Sequence, residues 1–112
     1  MSECLFCRIA ARQSAAEVEY EDHEIVAFKD IYPKAPVHVL IIPKRHIASV
    51  MKADTEDAGL LGRCLLVARR LGEEKGFGER GYRIVVNSGV EGGQVIDHLH
   101  FHFLAGRRPG RG

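Results

Sequence analysis

The sequence lacks any apolar run long enough to cross a membrane. Its longest such stretch, residues 37–42, is interrupted by His38 and falls far short of the ~20 residues that a membrane-spanning helix needs. The first residues, Met-Ser-Glu-Cys-Leu-Phe-Cys-Arg, also lack the apolar core of a secretory signal peptide. We therefore expect a cytoplasmic protein that does not associate with membranes.

The chain also lacks an excess of charge of either sign. It has 16 basic and 15 acidic residues among 112, for a formal net charge of +1, and the two signs are mixed along the sequence. There is no basic field of the kind that neutralises a nucleic-acid backbone, so we expect no nucleic-acid partner. A single nucleotide is still compatible with this composition, since its recognition depends on local groups and not on net charge.

Cysteine is scarce, with three in the chain, and disulfides are not expected in a reducing compartment. Cys4 and Cys7 have the C-x₂-C spacing of half a tetrahedral zinc site. A redox pair or two ordinary core thiols are the alternatives, and the redox pair lacks the βαβ context of thioredoxin-like proteins. Cys64 lies in the apolar stripe of a predicted helix and is interpreted as a core residue.

The length of the chain predicts a single domain over residues 1–106, followed by a flexible tail over residues 107–112. A short helix is predicted over residues 4–11, and a long one from an Asp54 cap to about Gly72. Strands are predicted over residues 18–20, 25–30, 37–42, 82–87 and 96–104. Because several connections are too short for crossover helices, the sheet should be largely antiparallel, giving an α+β fold with about five strands.

Most of the functional information lies in residues 98–104, which read His-Leu-His-Phe-His-Phe-Leu. A strand turns alternate side chains to opposite faces, so the imidazoles would share one face while the apolar residues anchor the other to the core. Burying several such rings requires many hydrogen-bond partners, and exposing them gives no folding benefit. A purely structural role is therefore the weaker interpretation.

Imidazole chemistry allows two functions for this row. Histidine binds zinc, but residues 98 and 102 of an extended strand lie about 13 Å apart, so one ion cannot bind all the rings. A neutral imidazole is also a good nucleophile near neutral pH. The central ring, His100, would attack phosphorus while its neighbours fix its tautomer and stabilise charge on the oxygens. We favour this second interpretation.

Two other segments are candidates for binding the rest of a nucleotide. The glycine-rich stretch from Ser88 to Gln94 leads into the histidine segment, and its backbone N–H groups could form an anion-binding loop, with Asn87 and Gln94 as side-chain donors. Asp30 lies at the end of a predicted strand, where a carboxylate can accept the hydroxyls of a ribose. As alternatives, the glycine-rich stretch would be a plain hairpin connection, and Asp30 would be a turn-forming aspartate.

Residues 98–104 resemble the histidine-triad motif, in which histidines alternate with hydrophobic residues. The chain is similar in particular to the Hint branch of that superfamily, the nucleoside phosphoramidase-like proteins. The similarity covers nearly the whole chain and is carried by Cys4-Leu5-Phe6-Cys7-Arg8-Ile9, Phe28-Lys29-Asp30-Ile31-Tyr32-Pro33, Ala35-Pro36-Val37-His38, Ile42-Pro43-Lys44-Arg45-His46, Tyr82-Arg83-Ile84-Val85-Val86-Asn87 and the stretch from Gly92 to Gly106.

This resemblance implies a HIT-like fold, a homodimer and a site for a purine nucleoside monophosphate or its phosphoramidate and acyl derivatives. It implies that Asp30 binds the ribose. The base would be enclosed by Phe6, Ile9, Phe28 and Ile31. The phosphate would be surrounded by Asn87, Gly93, His100 and His102, with His38 adjacent, and the nucleotide-binding set also includes Gln94 and Val95. His100 would attack the α-phosphorus and form a nucleotidyl-histidine that water hydrolyses, with His38 and His102 as catalytic partners and no metal required.

Some Hint-like proteins complete a structural zinc site with two histidines that match His46 and His98. The resemblance therefore implies a metal set of Cys4, Cys7, His46 and His98, in which the first histidine of the motif is structural. The chain departs from the family at Val95, often Ser, at Asp97, often aromatic, and in its tail. We expect these departures to alter rate or leaving-group preference more than nucleotide binding.

The leading hypothesis is thus a purine nucleotide hydrolase of the phosphoramidase type. A nucleotide-binding or adaptor protein with little turnover is the first alternative, since Val95 cannot donate a hydrogen bond from its side chain. A zinc-dependent hydrolase, in which the metal acts as Lewis acid, is the second. Sensitivity to chelators separates this last alternative only if folding is monitored as well.

Overall fold

The computed structural model describes residues 3–106, so the predicted tail at 107–112 lies outside the described residues. Two helices and five strands follow in the order α1 (Leu5–Ala10), β1 (Val18–Glu21), β2 (Ile25–Lys29), β3 (Val37–Pro43), α2 (Ala58–Glu74), β4 (Arg83–Val85) and β5 (Phe101–Ala105). The α+β class, the long helix and the short helix are confirmed. No helix within the described range is long and apolar enough to span a membrane.

The five strands form one antiparallel sheet in the order β1-β2-β3-β5-β4. The first hairpin is closed by Asp22, whose carboxylate accepts hydrogen bonds from the N–H groups of Glu24 and Ile25, both at 2.8 Å. The long connection from β3 through α2 to β4 leaves room for β5 to enter between them. The last strand, which carries part of the histidine motif, is therefore internal to the sheet, between β3 and β4.

Strand alternation gives the sheet two apolar faces. On β3, Val39 and Ile41 pack with α2, whereas Leu40 and Ile42 pack with α1. Cys64 of α2 is fully buried against the sheet, which confirms the core assignment, and burial raises the pKa of its thiol to about 12. The smaller α1 covers only part of its face, and the uncovered part holds the candidate site.

The beginning of α2 shows how local hydrogen bonds place the long helix. Asp54 accepts a hydrogen bond from the N–H of Glu56 at 3.1 Å, and its own N–H donates to the Asp57 carboxylate at 2.8 Å. These bonds form a 3₁₀ turn over Thr55–Asp57, so the α-helix begins only at Ala58. Near its other end Gly72 lies against the ring of Tyr82, where a Cβ atom would clash.

The last strand differs from the prediction, which began it at Ile96. Residues 96–98 form a bend, and the N–H of Leu99 donates to the carbonyl of Ile47 at 2.6 Å instead of joining the sheet. The strand begins at Phe101 because only from there does the chain pair with β3 and β4. Of the three motif histidines, His102 alone lies in a strand, so the expected row on one extended strand is wrong in detail.

Candidate active site and metal cluster

The uncovered part of the α1 face is a cleft of about 1470 Å³. It is bounded by α1, by the loop between β2 and β3, and by the loop between β4 and β5. It brings together all the residues predicted to bind nucleotide except Gln94, namely Phe6, Ile9, Phe28, Asp30, Ile31, His38, Asn87, Gly93, Val95, His100 and His102. Sequence positions far apart thus converge on one concave surface.

His100 is buried and its ring is held in one tautomer. Its Nδ1 lies 2.7 Å from the backbone oxygen of His98. Because a carbonyl oxygen only accepts, Nδ1 must carry the proton and donate it. Nε2 then keeps its lone pair, as a nucleophile requires. The ring of Phe6 packs edge-on against this imidazole, with centroids 5.2 Å apart, and shields it from water.

A second chain of hydrogen bonds fixes the protons of His38 and His102. The N–H of Lys34 donates to His38 Nδ1 at 3.1 Å, so the proton of His38 sits on Nε2. This Nε2–H donates to His102 Nδ1 at 2.9 Å, with Asp30 Oδ2 3.4 Å away. The proton of His102 therefore sits on its own Nε2, which makes no other hydrogen bond within residues 3–106 and is able to donate to a ligand.

The ionisation of these two rings agrees with that hydrogen-bond chain. Burial lowers the pKa of His38 below its usual value, although Asp30 acts in the opposite direction. Burial, helped by the neighbouring His100 and His38, lowers the pKa of His102 to about 4. Both rings are neutral at pH 7, so they act as hydrogen-bond donors and acceptors and not as cations.

Asp30, His38 and His102 are close enough together to suggest a metal site, since their donor atoms lie within 4.8 Å of one another. The proton positions argue against it. His38 Nδ1 is occupied by the Lys34 N–H, so its Nε2 carries a proton and has no lone pair for a cation. This trio, here called the relay cluster, is suited to orienting protons around a ligand.

The four residues predicted to bind metal do come together, and they suit zinc. The donor atoms of Cys4, Cys7, His46 and His98 lie within 4.8 Å of one another. Sulfur-to-nitrogen distances are 3.3 and 3.5 Å from the two thiols to His98 Nδ1, and 3.2 Å from Cys7 to His46 Nδ1. A tetrahedron with Zn–S of about 2.3 Å and Zn–N of about 2.0 Å has such edges near 3.5 Å.

The ring of His98 is oriented for that role. It is fully buried, and its Nε2 lies 2.8 Å from the backbone oxygen of Pro43. The proton therefore sits on Nε2, and the lone pair of Nδ1 faces the two sulfurs. A carbonyl that fixes the far nitrogen in this way is the usual second partner of a metal-binding histidine. Burial also lowers the pKa of His98, which favours the neutral ring that a metal requires. We call these four residues the thiol cluster.

The glycine-rich loop differs from the predicted anion-binding loop. The N–H groups of Gly92, Gly93 and Gln94 donate to carbonyl oxygens of the loop itself, so they are not available to a phosphate. The side chain of Gln94 is also occupied, since its amide donates to the oxygens of Ala48 and Ile96 at 2.7 and 2.9 Å. Gln94 therefore holds the loop in place and does not line the cleft.

Other groups of this loop do face the cleft. Asn87 reaches across the loop to donate to the Gly92 oxygen at 2.8 Å, and Gly93 takes a positive φ of 88° that favours glycine. Val95 is 89% exposed, and its N–H makes no hydrogen bond within residues 3–106. This N–H is available to donate to a ligand, and the side-chain type gives no sign of it.

Two parts of the cleft escaped the sequence analysis. The N–H of Lys34 sets the tautomer of His38, but a backbone donor leaves no signal in the residue type. The end of the cleft beside β4 is lined by Phe77, Arg80, Tyr82 and Arg83. The predicted strand included Tyr82 and Arg83, whereas Phe77 and Arg80 lay between it and the predicted long helix, and only the folded chain brings the four together.

The chain is similar to known proteins over nearly its whole length. Residues 3–112 match the family described as scavenger mRNA decapping enzyme C-term binding. A HIT-like protein of Synechococcus elongatus is 45% identical over 108 residues, which are 96% of this chain and 94% of that protein. A HIT family hydrolase from Legionella pneumophila superposes with a TM-score of 0.93 at 46% identity and covers 95% of both chains. A histidine triad nucleotide-binding protein from Candida albicans gives a TM-score of 0.83 at 30% identity, over 98% and 85% of the two chains.

Proposed function

Because the chain belongs to the histidine triad superfamily, we propose that it is a nucleotide hydrolase that cleaves nucleoside 5′-phosphoramidates or related nucleotidyl bonds at the α-phosphate. The observation that carries the proposal is the tautomer of His100, whose Nδ1–H donates to the His98 carbonyl and leaves Nε2 as a nucleophile in the cleft. The Legionella relative is described as a hydrolase and the Candida relative as nucleotide-binding, which supports both halves of the proposal.

The proposed substrate lies across the cleft with its base under α1. Phe6 and Phe28 form an edge-to-face pair with centroids 5.5 Å apart, and together with Ile9 and Ile31 they provide an apolar slot for a purine. Asp30, which lies between Phe28 and Ile31 in the chain, accepts the ribose hydroxyls. The phosphate then reaches His100, with His102, Asn87 and the Val95 N–H as donors to its oxygens.

In the first step, His100 Nε2 attacks the α-phosphorus and the P–N bond breaks. The electron pair of that bond goes to the leaving nitrogen, which takes its proton from solvent. His102 is a hydrogen-bond donor to the phosphoryl oxygens and not an acid, because its pKa is about 4. The positive charge that develops on the His100 ring is stabilised by the carbonyl of His98, to which Nδ1–H donates.

In the second step, water attacks the phosphorus of the nucleotidyl-His100 intermediate. The P–Nε2 bond breaks, its electron pair returns to the ring, and the water loses a proton to solvent. The net reaction consumes one water and yields an amine and a nucleoside monophosphate. Neither step uses a metal, and the histidine returns to its starting tautomer.

The thiol cluster has a structural role in this proposal. Its four protein ligands would fill a tetrahedral zinc site, whereas catalytic zinc keeps one position for water or substrate. Zinc bound there would join the beginning of α1, the end of β3 and the start of the histidine motif. A zinc-dependent hydrolase is therefore the less favoured alternative. A homodimer and a cytoplasmic location stay predictions.

The decisive experiment is to trap the covalent intermediate. The protein is incubated with an adenosine 5′-phosphoramidate, quenched with acid-free denaturant and digested, and the peptides are analysed by mass spectrometry for an added nucleotidyl group on His100. His100→Asn should abolish both the adduct and turnover, because Asn can still donate to the His98 carbonyl but has no nucleophile. His23→Asn is the matched control, since the His23 side chain is 89% exposed and lies outside the cleft.

Robust turnover by His100→Asn would overturn the mechanism. Nucleotide binding without adduct or turnover in the unmodified protein would instead support the alternative of a nucleotide-binding or adaptor protein. Calorimetric titration with AMP separates these two outcomes, since binding requires the cleft but not the nucleophile.

A further inference from the structure

The strand register brings one arginine onto the face of the sheet that carries the catalytic histidines. Leu104 of β5 pairs with His38 on one side and with Arg83 on the other. Side chains of directly paired residues point to the same face, so His38, Leu104 and Arg83 form a row along the floor of the cleft. With strands about 4.8 Å apart, the Cα atoms of the outer two lie roughly 10 Å from each other, within reach of an arginine side chain.

This row lies where the leaving group must go. In-line displacement places the leaving group on the side of phosphorus opposite the attacking atom. Along the chain His100 directly precedes β5, and His102 and Leu104 follow on it, so a group driven away from His100 passes His102 and reaches the level of Leu104 and Arg83. The base slot under α1 lies over β2 and β3, at the other side of the cleft.

The cleft is also larger and more basic than one nucleotide requires. Its volume of about 1470 Å³ exceeds the roughly 300–1,000 Å³ of a typical small-molecule site. Four basic side chains line it, Lys29, Lys34, Arg80 and Arg83, against one acidic side chain, Asp30. The chain as a whole has a net charge of only +1, so positive charge is concentrated in the cleft.

Two of these cations, Arg80 and Arg83, have no carboxylate partner in the part of the chain that the structure describes. Arg12, Arg45, Arg63, Arg69 and Arg70 each make an ion pair with a carboxylate. Within residues 3–106, neither Arg80 nor Arg83 has a carboxylate within 4.0 Å, and Arg80 instead lies over the ring of Phe77 at 4.8 Å. Unpaired guanidinium groups at one end of a cleft are suited to binding an oxyanion.

We propose that Arg83, with Arg80 beside it, forms a subsite for an oxyanion carried by the leaving group. The ligand chemistry is a carboxylate, as on an amino-acid leaving group, or a further phosphate, as on a polyphosphate. The inference rests on the proposed function, because it places the subsite beyond the phosphorus that His100 attacks. Arg83 contacts the leaving group and takes no part in bond formation.

The test compares leaving groups that differ in one charge. The substrates are the adenosine 5′-phosphoramidates of glycine and of glycinamide, with diadenosine triphosphate as the phosphate arm. Arg83→Gln should lower kcat/KM for the glycine compound by roughly fivefold to tenfold, as expected for an exposed charge-assisted hydrogen bond, and by less than twofold for the glycinamide compound. If Arg83→Gln lowers kcat/KM for diadenosine triphosphate by a similar factor, the subsite also accepts phosphate. If kcat/KM for this substrate is retained, the subsite is restricted to carboxylates.

The control is Arg69→Gln, which removes the same charge from the exposed Arg69–Glu73 pair on α2. Arg69→Gln should leave the ratio of kcat/KM between the glycine and glycinamide compounds unchanged. Affinity for AMP should also be unchanged in Arg83→Gln, since AMP carries no leaving group. Equal effects of Arg83→Gln on the glycine and glycinamide compounds, or no effect on either, would overturn the subsite.

A binding measurement keeps this test separate from the proposed function. In the His100→Asn background no chemistry is expected, so the dissociation constants of both phosphoramidates can be measured with and without Arg83→Gln. A selective weakening of the glycine compound supports the subsite even if the unmodified protein turns over none of the substrates. Absence of turnover in the unmodified protein would contradict the proposed hydrolase activity but not the subsite.

Discussion

The thiol cluster and the relay cluster contain the same kind of ring, protonated on Nε2 in both His98 and His38, but the two rings turn opposite nitrogens toward their cluster. In the thiol cluster, the Pro43 carbonyl takes the Nε2–H of His98 and leaves Nδ1 with a lone pair facing two sulfurs. In the relay cluster, the Lys34 N–H occupies Nδ1 of His38 and leaves Nε2 as a donor. One backbone acceptor and one backbone donor thus decide which cluster suits a metal and which suits a bound phosphate.

His98 connects the two sites. Its ring belongs to the thiol cluster, while its backbone oxygen accepts the Nδ1–H of His100 and so sets the tautomer of the proposed nucleophile. Phe6 contacts both rings, with centroids 5.8 Å from His98 and 5.2 Å from His100. The comparison therefore predicts that the clusters can be separated by substitutions that leave His98 intact.

The largest effect should come from replacing one histidine in the cleft, beside the relay cluster, and one in the thiol cluster. His100→Gln should lower turnover by at least about 10³-fold, because the proposed nucleophile is lost, with little change in thermal stability. His46→Gln should do the reverse, lowering Tm by roughly 5–10 °C through loss of a metal ligand while turnover at low temperature persists. Steady-state kinetics and differential scanning fluorimetry on both variants check this. If both substitutions reduce turnover alike, the two regions are not separate sites.

Metal removal should be the next largest effect. Protein purified with zinc and treated with a chelator should show a Tm lower by about 10 °C or more, because a site that binds metal only when folded stabilises the fold by mass action. Cys4→Ser should lower Tm and abolish the response to chelator. Cys64→Ala is the control, since it leaves a cavity in the core far from the cluster and should lower Tm equally with and without chelator. A chelator response that Cys4→Ser retains would contradict zinc at this site.

Lowering the pH should reduce thermal stability through the relay cluster, by a smaller and more selective effect than metal removal. The pKa of His102 is lowered to about 4 by burial, so the folded state resists a proton that the unfolded state accepts near pH 6.5. The stability contributed by the neutral ring is therefore complete above pH 6.5 and lost progressively as the pH falls towards 4. His102→Gln should reduce the slope of Tm against pH in this window. His23→Gln, at an exposed position, should leave that slope unchanged, and an unchanged slope in His102→Gln would show that His102 titrates normally.

Much of the fold follows from periodicity in the sequence. The β-rich composition of residues 37–42 and the helical spacing after Asp54 predict β3 and α2 to within a few residues. The start of β5 could not be predicted, because it depends on a hydrogen bond from Leu99 to Ile47, 52 residues away in the chain, which draws the motif out of the sheet. Side-chain pattern contains no information about such a long-range backbone contact.

The sequence predicts which residues form the candidate site more completely than it predicts what each of them does chemically. Residue types and the resemblance identify the rings, the thiols and Asp30. The proton positions could not be predicted, because they depend on the backbone groups of Lys34, Pro43 and His98. The role of Gln94 differs for a similar reason, since its amide is satisfied by two backbone oxygens. Local partners thus decide what a residue of given type does.

The smallest effect should come from Val95, at the mouth of the cleft and away from both clusters. Its side chain is 89% exposed, so Val95→Ser should change stability by less than about 0.5 kcal/mol. The new hydroxyl can donate to the phosphate or the leaving group, whereas the Val95 N–H donates equally well in both forms. We therefore expect kcat to rise about twofold to fivefold in a way that depends on the leaving group, with AMP affinity unchanged. Turnover that stays the same across several phosphoramidates would show that this position does not tune the reaction, and a change in AMP affinity would place the side chain in nucleotide binding instead.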